Sequence, residues 1–188
     1  MNTNQLTELF TAELKKTRDA ENQLADALPK IVTAASSPLR ELLQDHLEQT
    51  KDHAARLDMI LQVVGETSDR ETCRVMQAMI KETEEIVAQK LAANVLPASL
   101  IAHLQKIEHY EIASYGTLRG YATALQQRDT AAQLQATLEE EQEAGRKLTI
   151  LAQVVNAEIA RDESSKKEEP LEAKLTDESS PSTPRRAA

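Results

Sequence analysis

Residues 101–125, IAHLQKIEHYEIASYGTLRGYATAL, form the segment on which the predicted fold depends. Successive residues of an α-helix are rotated by about 100°, so residues three or four apart share a face. One face of this segment carries Leu104, Glu108, Glu111, Tyr115, Leu118, Ala122 and Leu125. Burying a carboxylate costs several kcal/mol unless a cation, a shared proton or a metal ion compensates it. The pattern therefore predicts a long amphipathic helix whose two inward glutamates need a partner.

The composition of the 188-residue chain favours long helices around a single core. Ala, Leu, Ile and Val dominate its 40% hydrophobic content, and it contains one Phe, three Tyr, no Trp and four Gly. Such a composition is typical of all-α proteins, and the length supports one core. We expect a helical domain over residues 1–161. Residues 162–188 are rich in charge, Ser and Pro without apolar periodicity, which predicts a disordered tail.

The charge and the cysteine content limit the classes of partner. The formal net charge is −9, from 31 acidic and 22 basic residues, so the overall field disfavours nucleic acid and anionic membranes. Cys73 is the only cysteine, which excludes an internal disulfide and suits a reducing compartment. The N-terminus has no signal-peptide pattern, and no stretch is apolar enough to cross a membrane. We expect a soluble cytoplasmic protein.

Helical periodicity recurs along the rest of the chain, at about residues 3–35, 37–64, 71–91 and 130–161. The third of these segments has no inward polar cluster. Its start is predicted by a capping-box pattern from Ser68 to Glu71. We interpret it as a connection that crosses from one end of a four-helix bundle to the other.

Each of the four long helices places ionisable groups near the middle of its apolar face. The inward groups are Glu21, His46, His53, Glu108, Glu111 and Glu141, whereas Glu48 is predicted to face solvent. Since bundle helices pack with their midpoints at similar heights, these groups can converge. Four carboxylates and two imidazoles suit a pair of divalent transition metal ions, because carboxylates can bridge two ions and imidazole supplies neutral nitrogen.

Other interpretations of the same residues stay open. An inward histidine is commonly a hydrogen-bonded core residue, and Arg18 or Lys106 could fold over to pair with the glutamates. Tyr115 could donate a hydrogen bond to the cluster or simply fill the core. Gly145 lies inside a helix, where glycine costs about 1 kcal/mol relative to alanine, which suggests that bulk is unwelcome there.

Four segments carry a resemblance to a known family: DAENQLADALPKI, DHLEQT, KIEHYEIASYGTLRGYA and TLEEEQEAGRKL. Over about residues 3–160 the chain resembles the YciF-like branch of the ferritin-like superfamily, a bacterial stress-protein family. The resemblance implies an all-α, ferritin-like four-helix bundle with a fifth helix in the long crossover between helices two and three. It also implies a homodimer and a dinuclear iron centre related to that of rubrerythrin, with manganese as the alternative metal.

The resemblance also assigns roles to residues. The superfamily pattern uses one glutamate from each of two helices and a Glu-x-x-His motif from each of the other two. Glu21 and Glu111 look like the single glutamates. Thr50-x-x-His53 and Glu141-x-x-Ala144 occupy the places of the two motifs, and each lacks one ligand. His46 and Glu108, one helical turn away, are the candidates to replace them.

Two functional hypotheses follow. The first is a stress-associated protein whose dinuclear iron or manganese site reacts with oxygen or peroxide. The second is a metal-free dimeric scaffold or partner-binding stress protein without catalytic activity. Whether the protein is an enzyme depends on which hypothesis holds.

Overall fold

The fold is entirely helical within the part of the chain that the structure describes. The computed structural model describes residues 3–67, 71–89 and 91–167, and these ranges contain five α-helices and no strand. The helices are α1 (Thr3–Ala34), α2 (Ser37–Val63), α3 (Arg74–Ala88), α4 (Leu96–Ala124) and α5 (Arg128–Lys167). The predicted all-α class is confirmed. None of the described helices is both long and apolar enough to cross a membrane.

Four of the helices form a bundle of the ferritin-like type. Helix α1 packs against α2 and α4, and α5 packs against α4 and α2, so the four helices close into a ring around one core. Helix α3 lies in the connection between α2 and α4 and packs against α1 and α4. The predicted four-helix bundle with a fifth helix in its long crossover is therefore confirmed.

The start of α3 differs from the sequence prediction. Helix α3 begins at Arg74, and its N-cap is Cys73, whose Sγ accepts a hydrogen bond from the Met76 backbone N–H at 3.4 Å. The Cys73 backbone N–H in turn donates to Asp19 Oδ2 at 2.8 Å, which ties the start of α3 to α1. Ser68, which we predicted as the cap, lies outside the described residues.

Helix α5 is longer than predicted. It has 40 residues and continues to Lys167, beyond the domain boundary that we placed at residue 161. Residues 161–165 are exposed, so this last part of the helix does not depend on an apolar face. The remainder of the predicted tail, residues 168–188, lies outside the described part of the chain.

The buried apolar residues form two clusters, one toward each end of the bundle. One cluster contains Leu28, Leu43, Leu104 and Leu148 among others, and the second contains Phe10, Leu57, Leu118 and Leu134 among others. Along α2, α4 and α5 the inward ionisable residues fall between the positions that belong to the two clusters, and on α1 Glu21 lies directly after Ala20, where the first cluster begins. The middle of the core is therefore a polar layer enclosed by apolar packing on both sides.

Candidate metal centre

The six predicted site residues all lie in the polar layer. Their exposed fractions are between 0% and 2%, and they are Glu21, His46, His53, Glu108, Glu111 and Glu141. They come from all four bundle helices, and α3 contributes none. Glu48 is exposed, as the helical wheel predicts.

The six side chains form two groups that share one member. His46, Glu108, Glu111 and Glu141 each offer a ligand atom within 4.8 Å of the others, and so do Glu21, His53 and Glu141. Glu141 belongs to both groups, which is the position that a bridging carboxylate would occupy.

The two histidines each face a carboxylate. His46 Nε2 lies 3.3 Å from Glu108 Oε1. His53 Nδ1 lies 2.8 Å from Glu141 Oε1 and 3.7 Å from Glu21 Oε1. His46 Nε2 and His53 Nδ1 therefore point into the same space as the carboxylate oxygens.

Several of these buried oxygens have no hydrogen-bond partner. They are Glu21 Oε2, Glu108 Oε2, Glu141 Oε2 and both carboxylate oxygens of Glu111. A buried polar atom without a partner costs about 1–3 kcal/mol, and more when it is charged. Because so many ligand atoms of the right chemical type lack partners at one place, the donor set fits a pair of divalent metal ions.

Burial and mutual repulsion raise the pKa values of three carboxyl groups. Burial, followed by the nearby Glu141 carboxylate, raises the pKa of Glu21 to about 8 from its usual 4.5. The same two causes, in the same order, raise the pKa values of Glu108 and Glu111 well above the usual value. Without a cation, this cluster therefore retains protons near neutral pH.

The two histidines shift in opposite directions. Burial lowers the pKa of His46. Burial alone would also lower the pKa of His53, but its carboxylate neighbours, Glu141 and Glu21 first among them, raise it to about 8. Neutral His46 presents the form of imidazole that binds a metal, whereas His53 must release a proton to do so.

Sequence reasoning missed the outer partner of His53. His53 Nε2 lies 2.8 Å from Glu140 Oε2, and Arg56 Nη1 donates to the same oxygen at 3.0 Å. Arg56 also donates to the Thr137 hydroxyl. Within the run Glu139–Glu141, only Glu139 is exposed, because Glu140 is half-buried and Glu141 is buried. The i, i+3 spacing of His53 and Arg56 on α2 is the one sequence signal for this contact.

Tyr115 is a hydrogen-bond donor to the cluster. Its hydroxyl donates to Glu21 Oε1 at 2.5 Å, and the side chain is fully buried. Tyr115 therefore has both of the roles considered from the sequence: it fills the core and it donates a hydrogen bond to the cluster. The contact leaves Oε2 as the oxygen of Glu21 without a hydrogen bond.

The cations proposed as competing partners lie elsewhere. Arg18 Nε is 2.7 Å from Asp58 Oδ1, and Lys106 is exposed. Thr50, which stands where the superfamily motif has a glutamate, donates its hydroxyl to the His46 carbonyl at 2.9 Å. The Arg18–Asp58 contact and the exposure of Lys106 give no support to the idea that either cation pairs with the buried glutamates.

The fold and the polar layer define a class of protein: a ferritin-like helical bundle with a buried cluster of carboxylates and imidazoles. The chain belongs to the family described as domain of unknown function (DUF892), whose profile matches residues 5–160. It is 39% identical to Protein YciF of Escherichia coli (strain K12) over 154 residues, 81% of this chain and 93% of that protein.

Solved structures agree with this assignment. The crystal structure of the E. coli stress protein YciF superposes with a TM-score of 0.78 at 38% identity, covering 81% of this chain and 97% of that one. YcfI of Rhodopseudomonas palustris gives a TM-score of 0.74 at 34% identity, covering 77% and 92%. A protein of Xanthomonas campestris, 17% identical over 85% of this chain and 99% of its own, gives a TM-score of 0.67 and shows the fold alone.

Proposed function

We propose that this protein binds two divalent transition metal ions, iron or manganese, in the polar layer of the bundle. The observation that carries the proposal is the convergence of four buried carboxylates and two imidazoles with unpaired ligand atoms. The superfamily pattern uses four glutamates and two histidines. This chain has the same inventory if His46 and Glu108 replace the two ligands that are missing at Ala144 and Thr50, and both residues lie in the cluster.

The two groups of side chains support a division of the ligands between the two ions. One ion would be held by His46, Glu108, Glu111 and Glu141, and the second by Glu21, His53 and Glu141. Glu141 would bridge them. When bound, such a pair of ions supplies Lewis acidity and, for iron or manganese, redox chemistry toward oxygen or peroxide.

The chain's own residues would prepare the site for that chemistry. The apolar clusters on both sides keep bulk water away from the ligands. The Tyr115 hydroxyl fixes one oxygen of Glu21, and Glu140 fixes the Nε2 side of His53 so that Nδ1 faces the cluster. Fixed outer partners of this kind orient the ligands and increase metal affinity.

The biological setting is part of the proposal. The relative from E. coli is described as a stress protein, which supports a role of this chain in a stress response. We propose a cytoplasmic homodimer whose small-molecule substrate is oxygen or peroxide. The free, buried thiol of Cys73 is consistent with a reducing compartment.

A metal-free scaffold is the second candidate function. The raised pKa values of Glu108 and Glu111 favour it, because protonated carboxyls can share hydrogen bonds without a cation. In that case the bundle would act through dimerisation or a partner surface.

Metal content distinguishes the two candidates. We expect the purified wild-type chain, reconstituted anaerobically with Fe²⁺, to hold two ions by elemental analysis. Glu21→Gln and Glu111→Gln should each lose stoichiometric binding, since each removes an anionic ligand. Glu48→Gln is the matched control, because Glu48 lies on α2 but is exposed. Equal loss in all three variants, or a wild-type chain that takes up no metal, would contradict the proposal.

A further inference from the structure

A crevice between α2 and α5 is lined by one of the six candidate ligands, His46. Of the neighbouring helix pairs in the ring, α2 and α5 pack least extensively. A cavity of about 270 Å³ opens between them. Its lining includes His46 and five neighbours, Glu41, Asp45, Gln49, Ala144 and Lys147. Since His46 is 2% exposed while Glu41, Asp45 and Lys147 are exposed, His46 lies at the inner end.

His46 connects this crevice to the candidate ligand set. Neither of its ring nitrogens makes a hydrogen bond, although Nε2 lies 3.3 Å from Glu108 Oε1. Ala144 lines the crevice from α5, at the position where the superfamily motif has a histidine. Its single methyl group leaves open the space that a larger side chain would fill.

The exposed mouth of the crevice carries more negative than positive charge. Glu41 and Asp45 lie one helical turn apart on the exposed side of α2, and Lys147 lies on α5. Two carboxylates against one ammonium give the mouth a net negative charge. Such a charge raises the local concentration of cations and increases their rate of arrival.

We propose that divalent metal ions reach the polar layer through this crevice, drawn in by Glu41 and Asp45 and received by His46. This inference rests on the proposed function, because it describes how the same site is filled. Lys147 opposes the attraction and slows loading.

Loading kinetics test the role of the charges. The full-length apoprotein is mixed anaerobically with Co²⁺ alone, and the visible absorption of the bound ion is followed with time. We expect the double variant Glu41→Gln, Asp45→Asn to load about 3- to 10-fold more slowly at low ionic strength, with a smaller difference at high ionic strength. Lys147→Gln should load faster than wild type. All three proteins should reach the same final stoichiometry.

A matched control is available on the opposite side of the bundle. The crevice between α1 and α3 is lined by Asp26, Gln77 and Glu84 and by none of the six candidate ligands. The variant Asp26→Asn, Glu84→Gln removes the same formal charge. It should load at the wild-type rate.

Blocking the folded protein tests the route itself. In a Cys73→Ser background, where serine keeps an N-cap for α3, Gln49→Cys is labelled after folding with a bulky, reducible thiol reagent. Labelling should slow Co²⁺ loading several-fold, and reduction should restore the rate. Gln77→Cys, labelled in the same way, should load at its unlabelled rate.

The outcomes separate three conclusions. If labelled Gln49→Cys loads as fast as its unlabelled form, the route is overturned. If the label slows loading but the charge variants do not, the crevice admits small solutes irrespective of charge, and its cation selectivity is overturned. A wild-type chain that binds no Co²⁺ at all would overturn the proposed function and this inference together, whereas normal binding with unchanged kinetics overturns the inference alone.

Discussion

At the scale of single residues, the candidate site depends on side chains at the flanks of the helices, such as Glu140, as well as on those of the inward faces. The helical wheel placed Glu21, Glu111 and Glu141 inward because each falls on the stripe that carries the apolar residues of its helix, and all three are buried. It could not predict Glu140, since a residue on the flank of a helix is buried or exposed according to what the neighbouring helix presents. Arg56 on α2 decides that contact.

Glu140 is expected to control metal affinity without being a ligand. Glu140→Gln should weaken metal binding by about 10- to 100-fold, because the loss of an outer carboxylate leaves the ring of His53 less well oriented and less basic. Competition with a chelator measures the change. Glu139→Gln, one residue earlier and exposed, should leave the affinity unchanged. The same loss in both variants would contradict a specific role for Glu140.

At the scale of helices, the sequence predicted which elements exist better than where they end. Helix α5 extends beyond its predicted end. The prediction relied on apolar periodicity, and an exposed stretch of helix needs no apolar face. The start of α3 was misplaced because Cys73 caps the helix, although cysteine is not among the common N-cap residues.

The space around the helices also corrects the interpretation of Gly145. A methyl group at Gly145 would meet Glu108 Cβ and Ile112 Cδ1 at 3.8 Å each, which is ordinary contact, and one at Gly116 would meet nothing within 4 Å. Bulk is therefore acceptable at both positions. The sequence alone could not show this, because the space around a residue depends on the facing helix.

Alanine at these positions should stabilise the protein. Gly145→Ala and Gly116→Ala should each raise the free energy of unfolding by about 0.5–1 kcal/mol, since alanine has less backbone entropy to lose in a helix. Urea denaturation of the metal-free protein measures the change. The reverse substitution Ala113→Gly, at an exposed site of α4, should lower it by a similar amount. Destabilisation by Gly145→Ala would show that space there is tighter than the structure indicates.

At the scale of the whole molecule, the buried cluster links stability to pH. Between pH 4.5 and about 8, Glu21 holds a proton in the folded state that the unfolded chain has released. His53, whose pKa is also raised to about 8, likewise holds an extra proton in the folded state above pH 6.5. A folded state that binds more protons than the unfolded state loses stability as the pH rises. His46, with its lowered pKa, opposes this trend below pH 6.5.

We therefore expect the metal-free protein to become less stable as the pH increases from 4.5 to about 8. The free energy of unfolding from urea titrations across this range measures the trend. Glu21→Gln should flatten the slope, because the glutamine has no proton to retain. Stability that rises steadily through the range in the metal-free wild type would contradict the raised pKa of Glu21.

The distribution of the six candidate ligands over the four bundle helices also has a kinetic consequence for the native state. If two metal ions are bound by side chains of α1, α2, α4 and α5, none of these helices can unfold locally without breaking a metal–ligand bond. Metal binding should therefore join the four helices into one cooperative unit. Amide hydrogens in the cores of the four helices should then exchange with solvent more slowly, and by a common factor. Helix α3 contains none of the candidate ligands. Its amide hydrogens should therefore exchange at the same rates in the metal-bound and the metal-free protein.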